Sequence, residues 1–190
     1  MPRLRPTAEW AKSYLIRAIR YVVPMRWWRV GERFPSMVLL LRNPHVFTEG
    51  EFRRAAERAW AVSFSSLEGS TRRTIRTDDA VFLEAGPHRL SLVNYAKPYE
   101  HNPQEDMGWL PQASQQRAWA EHTACGWVYY MTVGTDLELA HCVLAKVVAE
   151  LLDDNCAGVF IPSEYSLIPA EVASVELRKM GSHRLTALNS

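Results

Sequence analysis

The chain has 190 residues, of which 47% are hydrophobic and 23% are charged, a composition typical of a globular protein with one well-buried core. Its three cysteines argue against a disulfide framework, which uses an even number, and their spacing fits no paired zinc-ligand pattern. Arg17 and Arg20 interrupt the apolar residues near the N-terminus, and no run of about 18 apolar residues follows, so we expect a cytoplasmic protein rather than a secreted or membrane-spanning one.

Residues 1–34 are predicted to form a basic segment outside the main domain. They contain eight Lys or Arg and two Asp or Glu, a charge of +6, while the rest of the chain carries −5. Apolar side chains from Ala8 to Val22 recur at helical spacing, which predicts a basic amphipathic helix that ends at Pro24. An irregular stretch is expected to follow over residues 25–34.

The main domain is predicted to begin with a buried strand and a capped helix. The apolar run Met37–Leu41 is too short for a helix and stops at Asn43-Pro44, a turn signal, so it indicates a strand at the centre of a sheet. Thr48 and Glu51 have the spacing of a capping box, in which each side chain satisfies an otherwise unpaired amide at the start of a helix. This helix is expected to reach about Val62.

An antiparallel hairpin is predicted next in the chain. Residues 80–85 and 89–95 alternate their side chains on either side of Gly86-Pro87, a turn signal. The polar residues 65–77 before the hairpin are typical of a connection. Residues 98–114 after it contain three prolines and no clear period, and long loops of this kind are often functional or mobile.

The C-terminal half is predicted to contain a short helix over residues 112–121 and an aromatic-rich strand over residues 123–132. Thr135 and Glu138 then form a second capping box and begin a long helix. A last strand is expected over Cys156 to Ile161, and Pro169 suits the first turn of a final helix that reaches about Met180.

The long helix is predicted to be buried on all but a narrow strip. Helical spacing places one set of apolar residues on a single face and a second, more polar set on the opposite side. The first set is Leu137, Ala140, Leu144, Val147 and Leu151, widened by Val143 and Val148. The second set is Glu138, Cys142, Lys146 and Glu150.

In order, the predicted elements are a helix, then β-α-β-β-α-β, then α-β-α. This order predicts an α+β fold with a mixed sheet and helices packed on it, in which the central six elements are ferredoxin-like and the appended α-β-α extends the sheet. Residues 123–161 are expected to form a strand, a right-handed crossover helix and a parallel strand. We expect one domain over residues 35–181 and a tail over residues 182–190.

The loop of residues 98–114 offers candidate binding residues. Tyr99 and Trp109 are the predicted ligand contacts, because aromatic side chains on loops often bind ligands, although a solvated connection is the simpler interpretation. An enzyme site between this loop and the sheet would use His122 or His101 as a base, with Glu121 nearby.

The remaining histidine and cysteine candidates are interpreted as structural. His141 and Cys142 are adjacent on the long helix and therefore point about 100° apart, so they cannot act together as base and nucleophile. A metal site would need Glu121, His122, His141 and His101 to converge from several elements, because no H-x-x-x-H or C-x-x-C spacing occurs. We therefore predict neither a metal site nor a cofactor.

The basic N-terminus suggests two classes of partner. Arg17, Arg20, Arg26 and Arg29, interleaved with tryptophans, could contact an anionic membrane surface or nucleic-acid phosphates. Packing against acidic parts of the same chain or of a neighbouring subunit is the favoured interpretation, because long arginine stems commonly cover apolar surface.

One stretch of the sequence resembles a known family. The pattern from Arg117 to Ala124, the aromatic strand, the long helix and the run Gly158-Val159-Phe160-Ile161-Pro162 is similar to the bacterial family called domain of unknown function 4261. The similarity covers about residues 36–171, and it implies a compact α+β domain in a bacterial protein. It transfers no catalytic residue, because this family has no established chemistry.

The sequence favours a binding function over catalysis. It contains no Gly-rich phosphate loop, no G-x-S-x-G elbow and no H-E-x-x-H, while the signals for secondary structure are strong. The first hypothesis is a non-enzymatic binding or protein-interaction module, with a protein partner or a second copy of the chain. The alternatives are the small-molecule enzyme and the membrane-surface or nucleic-acid adaptor.

Overall fold

A computed structural model describes residues 34–64, 72–76, 80–99 and 110–182. The predicted N-terminal helix, most of the loop after the hairpin and most of the predicted tail therefore lie outside the described residues. The elements, in chain order, are β1 (Ser36–Leu41), α1 (Glu49–Trp60), β2 (Arg72–Arg76), β3 (Ala80–Ala85), β4 (His88–Tyr95), α2 (Ala113–Glu121), β5 (Ala124–Tyr130), α3 (Leu137–Ala149), β6 (Cys156–Ile161), a 3₁₀ turn (Pro162–Glu164), β7 (Ser166–Pro169) and α4 (Ala170–Ser182).

The described strands form one sheet with the order β2-β3-β4-β5-β1-β6-β7. The apolar run of β1 is fully buried and pairs on both sides, with Leu39 opposite Gly126 of β5 and Val159 of β6, so its predicted central position is confirmed. The predicted hairpin of β3 and β4 is also confirmed, and Gly86 at its turn has a φ of 56°, which favours glycine.

Every hydrogen-bonded pair among the described strands is antiparallel, so the predicted mixed sheet is wrong. β5 and β6 are both antiparallel to β1 and therefore run parallel to each other, as expected for strands joined by a crossover helix. They are not neighbours, because β1 lies between them. The ferredoxin-like order is not confirmed either, since β4 pairs with β5 rather than with β1.

The hydrophobic core lies on the face of the sheet that α1, α3 and α4 cover. Alternate residues of β1, namely Met37, Leu39 and Leu41, point into this core together with Phe52 of α1 and Leu144 of α3. On the opposite face α2 packs against β6, β7 and β1, and Trp119 of α2 contacts Phe160 with their rings 5.5 Å apart. The helices therefore cover both faces of the central strands.

The structure corrects two predicted positions on α3. Leu137, expected on the buried face, is 53% exposed because it lies in the first turn, while Cys142, expected on the solvent side, is only 3% exposed. Cys142 is buried because α4 packs along this side of α3, and its thiol donates to the carbonyl of Met180 at 3.2 Å. The other predicted apolar positions of this helix are buried as expected.

Several element boundaries differ from the sequence prediction. Arg72–Arg76 is an edge strand within the predicted connection, and Ser166–Pro169 is a further strand that periodicity missed because it has only four residues. The capping box of Thr48 and Glu51 is confirmed, but α3 is capped by Asp136 rather than by Thr135. No helix within the described ranges is both long and apolar enough to cross a membrane.

Candidate functional site

A pocket of about 510 Å³ opens beside the first turns of α3 and is named here the α3 pocket. Three acidic side chains, two apolar ones, a histidine and a cysteine line it, and they come from α3 with its N-cap, the 3₁₀ turn and α4. The lining residues are Asp136, Leu137, Glu138, His141, Cys142, Glu164 and Met180.

The sheet topology brings the parts of the α3 pocket together. Because β5 and β6 run parallel, their C-terminal ends lie at the same edge of the sheet, one on each side of β1. α3 follows the end of β5, and the 3₁₀ turn follows the end of β6. The start of the helix and the turn therefore meet, although they are more than twenty residues apart in sequence.

Local sequence fixes how the side chains enter the pocket. The carboxylate of Asp136 accepts hydrogen bonds from the amides of Glu138 and Leu139, at 2.8 and 3.1 Å, and so sets the first residue of α3. Residues four apart share a helix face, which places His141 one turn beyond Leu137 at the pocket. Across the pocket, Pro162 begins the 3₁₀ turn, which ends at a left-handed residue, Tyr165, with a φ of 48°.

His141 contacts two consecutive residues of this turn. Its Nε2 atom lies 3.1 Å from the hydroxyl oxygen of Ser163, and its Nδ1 atom lies 3.3 Å from a carboxylate oxygen of Glu164. A neutral imidazole has one donor and one acceptor nitrogen. The contact with Ser163 is a hydrogen bond, whereas the contact with Glu164 is within ion-pair distance only. In the tautomer with the proton on Nδ1, facing the carboxylate, Nε2 accepts the hydroxyl proton of Ser163.

The electrostatic surroundings keep the His141 ring neutral near pH 7. Burial lowers the pKa of His141 and is the larger effect, while the negative charge of Glu164 raises this pKa, and the net pKa is below the ordinary value of 6.5. Burial likewise raises the pKa of the Cys142 thiol. Cys142 therefore stays protonated.

The structure gives the predicted base candidates structural partners. His122 follows the last residue of α2 and is 7% exposed, and its Nδ1 atom lies 2.5 Å from the carbonyl oxygen of Trp119. The exposed carboxylate of Glu121 accepts a hydrogen bond from Arg42 at 3.1 Å. The third candidate, His101, lies outside the described residues.

The described residues do not bring the metal candidates together. Within these residues, no group of three or more His, Cys, Asp or Glu side chains is placed to hold a metal ion. Glu121, His122 and His141 therefore do not form a metal-binding cluster.

Tyr99 belongs to an aromatic cluster on the face of the sheet that α2 covers. Its ring lies 5.2 Å from that of Trp127, 5.3 Å from Phe160 and 6.0 Å from Trp119. Burial raises the pKa of Tyr99 to about 12, so the phenol is neutral at physiological pH. The other predicted ligand contact, Trp109, lies outside the described residues.

Sequence reasoning missed Ser163 and Glu164. They occupy a three-residue turn with no motif of its own, and helical spacing relates His141 only to residues of its own helix, such as Cys142. The available signal was the predicted parallel relation of the strands before and after α3. It places the residues after β6 beside the start of the helix.

Comparisons of the chain with models of protein families, with curated proteins and with solved structures found no match. The resemblance to domain of unknown function 4261 therefore stays a prediction.

Proposed function

We propose that this protein is a binding module whose ligand site is the α3 pocket. The observation that carries the proposal is the pocket itself, whose volume of about 510 Å³ lies in the range of about 300–1,000 Å³ that small-molecule sites occupy. The site is built on α3, whose packed face is part of the core, so the walls are held in place before a ligand binds.

The lining residues define the class of ligand. Asp136, Glu138 and Glu164 contribute three carboxylates, and no Lys or Arg is among the described residues that line the α3 pocket. Leu137 and Met180 add apolar surface beside these charges. A small amine with an apolar body matches this arrangement, because its cation is attracted by the carboxylates while its body contacts the apolar side chains.

The test compares two ligands that share an apolar body and differ in charge, 4-phenylbutylamine and 4-phenylbutyrate. The ¹³C-labelled methyl group of Met180 reports on the pocket by NMR, while Met37, which is 0% exposed in the core, is the internal control. We expect the amine to shift the Met180 signal in a saturable way and the acid to leave it unchanged. Equal binding of the two ligands, or no binding of either, would remove the proposal.

A pair of variants locates the binding. Glu138→Gln removes one carboxylate from the pocket wall, while Glu176→Gln removes an exposed carboxylate on α4 that pairs with Lys179 outside the pocket. A partly exposed charge pair contributes about 0.2–1 kcal/mol, so Glu138→Gln should weaken amine binding by roughly 1.5- to 5-fold. Glu176→Gln should leave the affinity unchanged, and an equal loss in both variants would place the ligand elsewhere.

We further infer that the chain belongs to the family of domain of unknown function 4261 and works in the cytoplasm. All three cysteines are buried thiols that form no disulfide, which suits a reducing compartment. The enzyme site at residues 98–114 and the adaptor role of the basic N-terminus stay predictions. A partner protein or a second copy of the chain also remains a proposal.

A further inference from the structure

We propose that Ser163 is a nucleophile, that His141 is its general base, and that the site transfers acyl groups from small carboxylic esters. Glu164 is the positioning residue that holds the imidazole. This inference goes beyond the proposed binding function, because it rests on the contacts of His141 with Ser163 and Glu164 and not on the charge of the ligand that the pocket selects. Of these three residues, His141 and Glu164 line the α3 pocket.

The three side chains contact one another in the order of a serine hydrolase triad, with a hydrogen bond between Ser163 and His141 and an ion-pair contact between His141 and Glu164. The hydroxyl of Ser163 meets Nε2 of His141 at 3.1 Å, and the carboxylate of Glu164 meets Nδ1 at 3.3 Å. In such triads the nucleophile contacts one ring nitrogen and an acid orients the other, and the arrangement is recognised by geometry rather than by order along the chain. Here the order is His, Ser, Glu.

A nucleophile must be accessible to the substrate, whereas its base must be held in place, and the exposure of Ser163 and His141 differs in this way. Ser163 is exposed, so an ester can reach its hydroxyl oxygen from solvent. His141 is only 7% exposed and is fixed on α3 by its contacts with the turn. His141 and Glu164 both line the pocket, so the body of a bound ester would lie beside the base.

The neighbouring thiol does not compete for this role. Cys142 is 3% exposed, and its Sγ atom donates to the carbonyl of Met180. Its buried thiol is held in the protonated form, whereas nucleophilic attack needs a thiolate.

The reaction proceeds in two balanced halves. Nε2 of His141 takes the hydroxyl proton of Ser163 as an electron pair of the Ser163 oxygen forms a bond to the ester carbonyl carbon. The carbonyl π electron pair moves onto the carbonyl oxygen, which gives a tetrahedral intermediate. When this pair re-forms the C=O bond, the bond to the alkoxide breaks, and the alkoxide takes the proton from His141. Water then attacks the acyl-serine by the same route, which releases the carboxylic acid and regenerates the Ser163 hydroxyl.

The first experiment measures covalent labelling of the full chain by an alkyl fluorophosphonate, which phosphonylates an activated serine and releases fluoride. Peptide mass spectrometry compares Ser163 with Ser63, an exposed serine remote in sequence that serves as the internal control. General-base catalysis typically contributes about 100-fold or more, so Ser163 should react at least about 100-fold faster than Ser63. Equal labelling of the two serines would overturn the proposal without requiring any variant to fold.

Variants then separate activation from structure. Ser163→Ala should abolish labelling at this position and His141→Gln should slow labelling of Ser163 by about 100-fold, while Ser63→Ala should leave the rate at Ser163 unchanged. A variant whose melting temperature equals that of the wild-type protein has retained its fold. An unchanged rate in a folded His141→Gln variant would rule out His141 as the base.

The pH profile tests Glu164. Labelling of Ser163 should rise with pH as His141 loses its proton, and the charge of Glu164 raises the pKa of His141. In Glu164→Gln the rise should therefore move to lower pH and the maximal rate should fall, while Asp136 and Glu138 still line the pocket. A lower rate with an unchanged profile would mean that Glu164 is only structural, and it would overturn the positioning role.

Discussion

Substitution of Gly158 by alanine tests how tightly α2 and β7 pack against β6. A Cβ atom at this position would lie 2.9 Å from the backbone oxygen of Ile168, 3.3 Å from a methyl group of Leu167 and 3.4 Å from Cβ of Ala118. The shortest contact is to backbone that is hydrogen-bonded to β6, so it cannot rotate away as a flexible side chain could. The new methyl group must push β7 or α2 outward.

The expected magnitude comes from two opposing effects. Overpacking by one methyl group in a close-packed region lowers the free energy of unfolding by about 1–3 kcal/mol. Replacing glycine by alanine also restricts the unfolded chain, which raises the free energy of unfolding by about 0.4–1 kcal/mol. We therefore expect a net loss of about 1–2 kcal/mol in the free energy of unfolding. For a chain of this size, this loss lowers the melting temperature by roughly 2–8 °C.

Urea unfolding followed by tryptophan fluorescence measures this loss, and Gly50→Ala is the matched control. Gly50 lies in the first turn of α1, where the added methyl group meets the flexible end of Arg54 at 3.3 Å, so alanine there should be neutral or stabilising. A Gly158→Ala protein as stable as wild type would refute the packing argument. The same destabilisation in both variants would also refute it.

Three further predictions concern caps and buried polar groups. Thr48→Ala should lower the free energy of unfolding by about 0.5–2 kcal/mol in urea titrations, because the Thr48 hydroxyl caps the amide of Glu51 at 3.2 Å, and Thr48→Ser should restore most of it. Tyr130→Phe should cost about 1–3 kcal/mol in the same assay, because the phenol lies 2.7 Å from Nδ1 of buried His88 and its loss leaves that nitrogen unsatisfied. Burial lowers the pKa of His88 below 6.5, so the unfolded chain binds the proton more readily than the folded one. Its contribution to stability should be complete above about pH 6.5 and fall as the pH drops below that value, and His88→Gln should make this fall shallower in pH-dependent unfolding.

The sequence was sufficient wherever a local pattern determines structure. The uninterrupted apolar run Met37–Leu41 indicates a strand that is buried on both faces, and all its residues are buried. The spacing of Thr48 and Glu51 indicates the start of α1. Thr135 failed as a cap because Asp136 is adjacent and its carboxylate reaches two amides of the first turn. Local spacing alone does not decide between Thr135 and Asp136, because both are residue types that can cap the N-terminus of a helix.

Non-local packing explains the remaining differences. Helical spacing within α3 alone predicts Cys142 on the solvent side, whereas the contact with α4 that buries it joins residues 38 positions apart. The antiparallel sheet has the same kind of origin, because β1 pairs with β5 and β6 through contacts that no local pattern encodes. A single sequence indicates which side of a helix or strand is apolar more readily than it indicates which other helix or strand packs against that side.

The directions of β5 and β6, one on each side of β1, also explain why a site arises at the start of α3. If β5 and β6 were adjacent, the connection over α3 would span one strand spacing of about 4.8 Å, and with β1 between them it spans two. α3 packs over β1 on this path. Because β5 and β6 run in the same direction, the first turns of α3, with His141, lie beside the end of β6 and the turn of Ser163 and Glu164. The shared direction of β5 and β6, which is kept although β1 removes their direct pairing, thus sets the edge at which a histidine, a serine and a carboxylate meet.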